Sequence, residues 1–269
     1  MQDYCLDMAL KILAHKTKCA ASHISIASTF ESQIYYHAAF DTTGGWEEYS
    51  KLLCDAKWIL VPINDGMAGI SSSAIHGAHW SLLALNRVAK TAHYFDSLFI
   101  DNSNYHDLAG TVFRGVVNVL GENVNDWLCK VEYFSPNQTQ HNLCKEDAWT
   151  SCGPFVFMMI KYQVDTIMWA QQEGREYQHV LDLGEDFPLK WGAEWNSLGT
   201  RVDMQDSIAQ MKKAVEAEKE TGSGDEVVEM AVEDVKPPTL GEGLDTVVKE
   251  AEEVDVDAAL PTIDEAHAP

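Results

Sequence analysis

Apolar residues recur in ordered blocks through residues 1–202 and give way to a monotonous polar pattern in 203–269. Leu6, Met8, Leu10, Ile12 and Leu13 stand among polar neighbours and predict a helix over residues 3–14. From there to Phe40 the apolar positions Ile24, Ile26, Phe30, Ile34 and Tyr35 mix two periods and fix no element. A turn at Gly44-Gly45 precedes a short helix over 46–56. Trp58 to Ile63 is an apolar run of strand length, closed by Asn64-Asp65-Gly66. After a loop of small residues over 67–78, residues 79–85 and 92–98 read as an antiparallel pair beside that strand, with a polar turn over 86–90. Residues 112–120 predict a helix and 126–134 a strand. Cys152-Gly153-Pro154 then opens an apolar stretch to Ala170, long enough for a buried helix. Helix, strands, helix, strand, helix is the order of an α+β domain, and no internal repeat interrupts it.

Charge divides the chain the same way. The 269 residues hold 19 basic and 42 acidic side chains, net −23. Residues 203–269 carry 19 acidic and 5 basic of these, net −14, leaving −9 for the first 202. That segment holds no aromatic residue and no cysteine, and predicts a disordered acidic tail after one short helix over 204–220. The folded unit is then residues 1–202, with all 8 Trp and an adequate core. Val254-Asp255-Val256 is similar to strand-adding SUMO-interacting peptides, although composition alone reads it as part of a solvated tail. The acidic balance disfavours nucleic acid, whose phosphates it repels. No apolar run reaches the ~20 residues that a membrane span needs. Six scattered cysteines with no CxxC pair and no secretory signal argue against disulfides and metal, and for a reducing cytosolic or nuclear compartment.

Three short pieces carry chemistry. Pro154 suits the first turn of a helix, which places Cys152 at its N-terminus, where unpaired N–H groups and the helix dipole favour a thiolate and an oxyanion. His79 ends a loop and begins a strand, a rigid position for a base. Asp96 follows 17 residues later, on the next strand of the hairpin, placed to orient one ring nitrogen while the other faces Cys152. A base, a carboxylate and a thiol complete the set for acyl transfer by a cysteine nucleophile. Singly, Cys152 and His79 are most simply packing residues; His76 and His93 lack companions of this kind. Trp80 is either a core aromatic or a wall against substrate.

Val61-Pro62-Ile63-Asn64-Asp65, His79-Trp80-Ser81-Leu82-Leu83, Tyr94-Phe95-Asp96-Ser97 and Ser151-Cys152-Gly153 together resemble the ubiquitin-like-protease (Ulp, or sentrin-specific protease) family of cysteine peptidases. The resemblance runs from Asp3 to Ala170 in order. The Asn64-Asp65 ending, the long loop before His79 and the Ser81-Leu82-Leu83 wording resemble its deneddylase branch more than the desumoylase branch. The resemblance implies a papain-like α+β fold with a mixed sheet, no cofactor, and cleavage after the Gly-Gly C-terminus of a ubiquitin-like modifier. That modifier is first of the Nedd/Rub type and second SUMO, acted on by a monomer in deconjugation or precursor processing. It also implies Cys152, His79 and Asp96 as the catalytic residues and Trp80 as one wall of a narrow tunnel for the two glycines.

Two positions depart from the family pattern. Its oxyanion-donating Gln, six residues before the nucleophile, is Glu146 here, and an ionised carboxylate cannot donate. Gln138 or Gln140 is then the alternative donor, through a rearranged loop. The family also opens with a Trp-Leu-x-Asp piece; Asp3 matches its substrate-contacting Asp, and the Trp falls before Met1, which implies a truncated form. These departures leave a rival reading, a catalytically weak or inactive modifier-binding module of the same fold. An acetyltransferase of similar architecture ranks last, because the sequence offers no basic cluster for CoA phosphates.

Overall fold

Continuous burial of the run after Lys57 is the organising feature. This segment is a strand, β2 (Trp58–Asn64), and all 7 of its residues are buried, as expected for a strand covered on both faces. The structure, a computed structural model, describes residues 3–41, 43–68, 79–98, 103–133, 135–175 and 195–221. Beside β2 lie β1 (Ile24–Ile26) and β3 (Trp80–Asn86); beyond β3 come β4 (Thr91–Phe95) and β5 (Leu128–Val131). The sheet order follows the chain, β1-β2-β3-β4-β5. β2, β3 and β4 are antiparallel, as the pattern predicts, whereas both outer strands pair parallel to their neighbours. Pro62 fits within β2 because β1 pairs only as far as Leu60, so the N–H that proline lacks has no neighbour to serve there.

Alternate residues of β2 feed two cores. Trp58 and Leu60, with Leu82, Ala84 and Phe95, face α1 (Asp3–Lys16) and α5 (Cys152–Gln172). Ile59, Val61 and Ile63, with Leu83, Leu85 and Tyr94, face α2 (Thr29–Ala38), α3 (Glu47–Leu53) and α4 (Ser103–Val119). The result is three layers, helices on both faces of a mixed sheet, an α+β fold of the kind expected. The last described helix, α6 (Ser197–Thr221), adds Met204 to the first core, with Trp195 just before it. The chain divides into two compact units, 1–211 and 212–269; of the second, only the end of α6 lies among the described residues.

Sequence patterning placed most elements and trimmed some. The helix expected over 112–120 begins about two and a half turns earlier, at Ser103, and the strand expected over 126–134 is only Leu128–Val131. β1 and α2, in the stretch that fixed no element, are the additions. α2 starts with a capping box, Ser28 accepting from the Glu31 N–H at 3.1 Å while the Glu31 carboxylate accepts from the Ser28 N–H at 2.6 Å. The expected acidic tail beyond 221, most of the loop over 67–78 and the Val254 segment lie outside the described residues.

Candidate active site

The antiparallel β3–β4 pair brings the start of one strand beside the end of the other. His79 immediately precedes β3 and Asp96 immediately follows β4, so the hairpin itself juxtaposes them. Their side chains meet at 2.7 Å between His79 Nε2 and Asp96 Oδ1. Both are buried, His79 at 4 % exposure and Asp96 at 7 %. Asp65 fixes the backbone of His79 from both sides: its Oδ1 accepts the His79 N–H at 2.9 Å, and its own N–H donates to the His79 carbonyl at 3.1 Å. The chain thus leaves the sheet at Asp65 and returns at His79 with the base in a fixed frame.

Asp96 is held with equal care. The Leu98 N–H donates to Oδ1 at 2.8 Å, the Tyr94 hydroxyl to Oδ2 at 3.3 Å, and the Asp96 N–H donates to Ser135 Oγ at 3.2 Å. Burial works against the carboxylate, but the hydrogen bond and charge of His79 outweigh it, with Leu98 and Tyr94 assisting, and its pKa is lowered.

Cys152 is the first residue of α5 and is 6 % exposed. No side chain caps this helix; the Ser151 hydroxyl donates to the Ala148 carbonyl at 3.0 Å instead. With Pro154 contributing no N–H, the Cys152 and Gly153 amides are the first-turn backbone donors with no partner inside α5. Nε2 of His79 is committed to Asp96, and the buried Nδ1 makes no ordinary hydrogen bond; the group it interacts with is the Cys152 thiol. Burial tends to raise the thiol pKa. It is nevertheless lowered, by His79 first through hydrogen bonding and then through charge, and by the Trp80 N–H donating to the sulfur. His79 moves the opposite way: burial lowers its pKa, Asp96 and then Cys152 raise it, and the net shift is upward. Opposed shifts of this kind favour a thiolate–imidazolium pair, the activated form of a cysteine nucleophile.

Position 146 is where the sequence departs from the family pattern. Glu146 sits on the 3-10 turn Lys145–Thr150 and is exposed, its carboxylate accepting from the Cys144 thiol at 3.5 Å. Gln138 is not a free replacement donor. It is fully buried, with Nε2 donating to the Ala148 carbonyl at 2.7 Å and Oε1 accepting from Ser97 at 2.7 Å. It serves as a bracket between the turn after Asp96 and the turn before Cys152. The Gln140 side chain is exposed.

Of the other expected residues, Trp80 is 3 % exposed and packs in the α1/α5 core, while its backbone N–H reaches Cys152. Asp3 begins α1, and its side chain lies outside the described residues, as does His76. His93 has a carboxylate companion after all: its Nδ1 pairs with Glu132, leaving Nε2 buried without a partner. That pair joins β4, which carries His93, to the residue just after β5. Tyr105, near the start of α4, is the residue the sequence did not reveal. Its ring meets His79 edge-on at 5.4 Å between centroids, and burial and then the charges of Asp65, Asp96 and Cys152 raise its pKa, keeping it a neutral phenol. An isolated aromatic at a helix start carries no motif by which to find it. Among the described residues no group of three His, Cys, Asp or Glu side chains could hold a metal, and no helix is long and apolar enough to cross a membrane.

The family model described as "Ulp1 protease family, C-terminal catalytic domain" matches residues 1–168. No curated protein sequence matches the chain. Among solved structures, the chain is similar to SUMO protease Ulp1 with its catalytic cysteine oxidised to a sulfinic acid (14 % identity, 77 % of this chain and 78 % of that one, TM-score 0.47). The same protease with a sulfenic acid gives 15 % identity over 77 % and 78 %, TM-score 0.48. A mutant of Xanthomonas XopD gives 16 % identity over 78 % of this chain and 98 % of that one, TM-score 0.44.

Proposed function

This chain belongs to the Ulp1 protease family, and on that premise we propose that it is a cysteine isopeptidase that cleaves after the Gly-Gly C-terminus of a ubiquitin-like modifier. In this reading the Cys152 thiolate attacks the terminal glycine carbonyl. The new C–S bond forms as the carbonyl electrons move to oxygen, held by the Cys152 and Gly153 amides. Collapse of that intermediate breaks the C–N bond, and the proton on His79 Nδ1 passes to the leaving lysine amine. Water, deprotonated by His79, then hydrolyses the thioester and frees the modifier. Asp96, on Nε2, keeps the ring oriented and stabilises its charged form. Trp80 and Asp3 contact the modifier's C-terminal segment.

The observation that carries this reading is the 2.7 Å bond between His79 Nε2 and Asp96, which leaves Nδ1 for the thiol at the start of α5. A binding module has no need of a buried base–acid pair aimed at a thiol, because burying ionisable groups costs stability. We favour a Nedd/Rub-type modifier, with SUMO second. Supporting that order are the Asn64-Asp65 ending and the long loop before His79, which Asp65 closes in the structure. Glu146 favours the second reading, a weak enzyme or modifier-binding module, since a carboxylate stands at the family's donor position; losing one such donor costs about 3–4 kcal/mol in transition-state stabilisation.

The test is hydrolysis of Nedd-type, SUMO and ubiquitin substrates bearing a C-terminal fluorogenic amide. Turnover of the Nedd-type substrate above the others, abolished in Cys152→Ala, is the expected result. Turnover of SUMO alone reverses the preference while keeping the mechanism. Tight binding of a modifier with no turnover by folded protein establishes the binding module instead.

A further inference from the structure

The turn that leads into Cys152 is fastened by residues beyond the segment that the family match covers, which ends at residue 168. We propose that the start of α6 is part of the catalytic apparatus, with Arg201 acting through Asp147 as a positioning residue that sets the Cys152 thiol against His79. This rests on the reading of Cys152 and His79 as the reacting pair.

Arg201 grips the 3-10 turn at two points. Its Nε donates to Asp147 Oδ2 at 3.2 Å and its Nη2 to Asp147 Oδ1 at 3.3 Å, a two-pronged pair. The same Nη2 donates to the carbonyl of Thr150, two residues before the nucleophile. Asp147 also accepts from the Thr150 hydroxyl, which closes the turn on itself. The pair is largely sheltered, with 12 % of the Asp147 side chain and 24 % of that of Arg201 exposed.

A buried network ties the same two segments together. Asn142 Oδ1 accepts from the Ser197 N–H at 3.2 Å and the Cys144 N–H at 3.1 Å, while its Nδ2 donates to Ser197 Oγ at 2.9 Å and Ser151 Oγ at 3.4 Å. Asn142, Ser151 and Ser197 are all essentially inaccessible, at 1 %, 0 % and 0 %. The Leu143 N–H donates to the Trp195 carbonyl at 2.8 Å, and the Trp195 ring lies 5.0 Å from that of Phe155, the third residue after the nucleophile. Residues on both sides of Cys152 are therefore tied to 195–201. A surface ion pair alone contributes little. One that fixes the backbone beside a reacting atom has more effect, because displacements of about 1 Å cost about 10²-fold in reactions that depend on alignment. A fixed turn also holds the thiol where the imidazolium can stabilise it.

The experiment follows alkylation of the Cys152 peptide by iodoacetamide against pH, by mass spectrometry, in the full-length wild type, Arg201→Met, Asp147→Asn and Arg201→Lys. Positioning predicts that Arg201→Met and Asp147→Asn both raise the inflection by about one pH unit, slowing alkylation at lower pH about tenfold. Arg201→Lys, which keeps the charge and loses the fork, falls between them and the wild type. Direct charge effects predict opposite shifts for the first two variants, since one removes a cation and the other an anion. Opposite shifts, or none, overturn the inference; a variant that does not fold is set aside, and Arg201→Lys then decides. A wild-type thiol that titrates in the ordinary range instead overturns the underlying reading of the pair.

Discussion

His79 serves two groups with two nitrogens, and each contact has its own consequence. Nε2 bonded to Asp96 fixes the ring; Nδ1 turned to Cys152 shares its charge with the thiol. The lowered Cys152 and the raised His79 define the active window from opposite ends. The acid limb of kcat/KM falls below the ordinary thiol range as Cys152 protonates, and the alkaline limb lies above the ordinary histidine range as His79 loses its proton. The stability link has matching signs. His79, raised on folding, stabilises fully below its unfolded value of about 6.5 and ceases to do so as pH rises through its folded pKa. Asp96, lowered on folding, stabilises above its unfolded value and loses that contribution as pH falls through its folded one. In His79→Ala the two largest influences that lower the thiol pKa are lost and burial is opposed mainly by the Trp80 N–H, so the alkylation inflection at Cys152 rises and turnover drops by at least about 10³-fold. On the proposed reading of position 146 as the family's donor position, Glu146→Gln supplies a neutral donor there, and kcat is expected to rise about tenfold with KM little changed, read from steady-state kinetics. At this scale the sequence was most informative: Cys152, His79 and Asp96, which the structure brings together, were legible as a group because each sits in a short motif. Tyr105 and the commitment of Gln138 were not, since both depend on which side chains converge from distant segments.

Elements succeed here by covering both faces of one sheet, and the close approach of α2 and α4 depends on a missing side chain. A Cβ at Gly115 on α4 would fall 1.6 Å from the Tyr35 carbonyl oxygen on α2. The Asn118 amide donates to the Ala38 carbonyl at 3.1 Å along the same contact. Gly115→Ala forces the helices apart, at a cost of about 1–3 kcal/mol. Calorimetry is expected to show a lower melting temperature, while Cys152 reactivity per folded molecule is retained, because α2 and α4 pack on the sheet face opposite α5. The sequence pattern recovered long periodic elements and missed short ones for a physical reason. β1 has only 3 residues, too few to show a period, and earns its place by parallel pairing with β2. Ser28 and Glu31 carry the capping spacing of α2, but the mixed apolar periods that follow them mask the helix in the sequence pattern. Parallel pairing of the outer strands depends on tertiary packing and carries no local signature.

At the scale of the whole molecule, the site is assembled from residues far apart in sequence: Asp65 and His79, Asp96, the turn 142–151 with Cys152, and the start of α6. The separation between body and tail was visible in charge and aromatic content, but not that 195–204 returns to pack against the nucleophile's helix. Trp195 and Met204 are 5 % and 3 % exposed in that core. Ending the chain at residue 175 removes both along with Arg201, and loss of a buried Trp alone costs about 3–5 kcal/mol, a large share of an ordinary domain's stability. Thermal unfolding is expected to drop sharply for that chain, whereas ending at residue 221 leaves melting and Cys152 reactivity unchanged. The proposed activity depends first on Cys152 acting as a nucleophile toward a modifier C-terminus. Its most direct test is incubation of the folded full-length protein with Nedd-type, SUMO and ubiquitin probes carrying a C-terminal electrophile, followed by intact mass and peptide mapping. The account predicts one covalent adduct, at Cys152, absent in Cys152→Ala and much slowed in His79→Ala; no adduct with any probe, or an adduct at another cysteine, would contradict it.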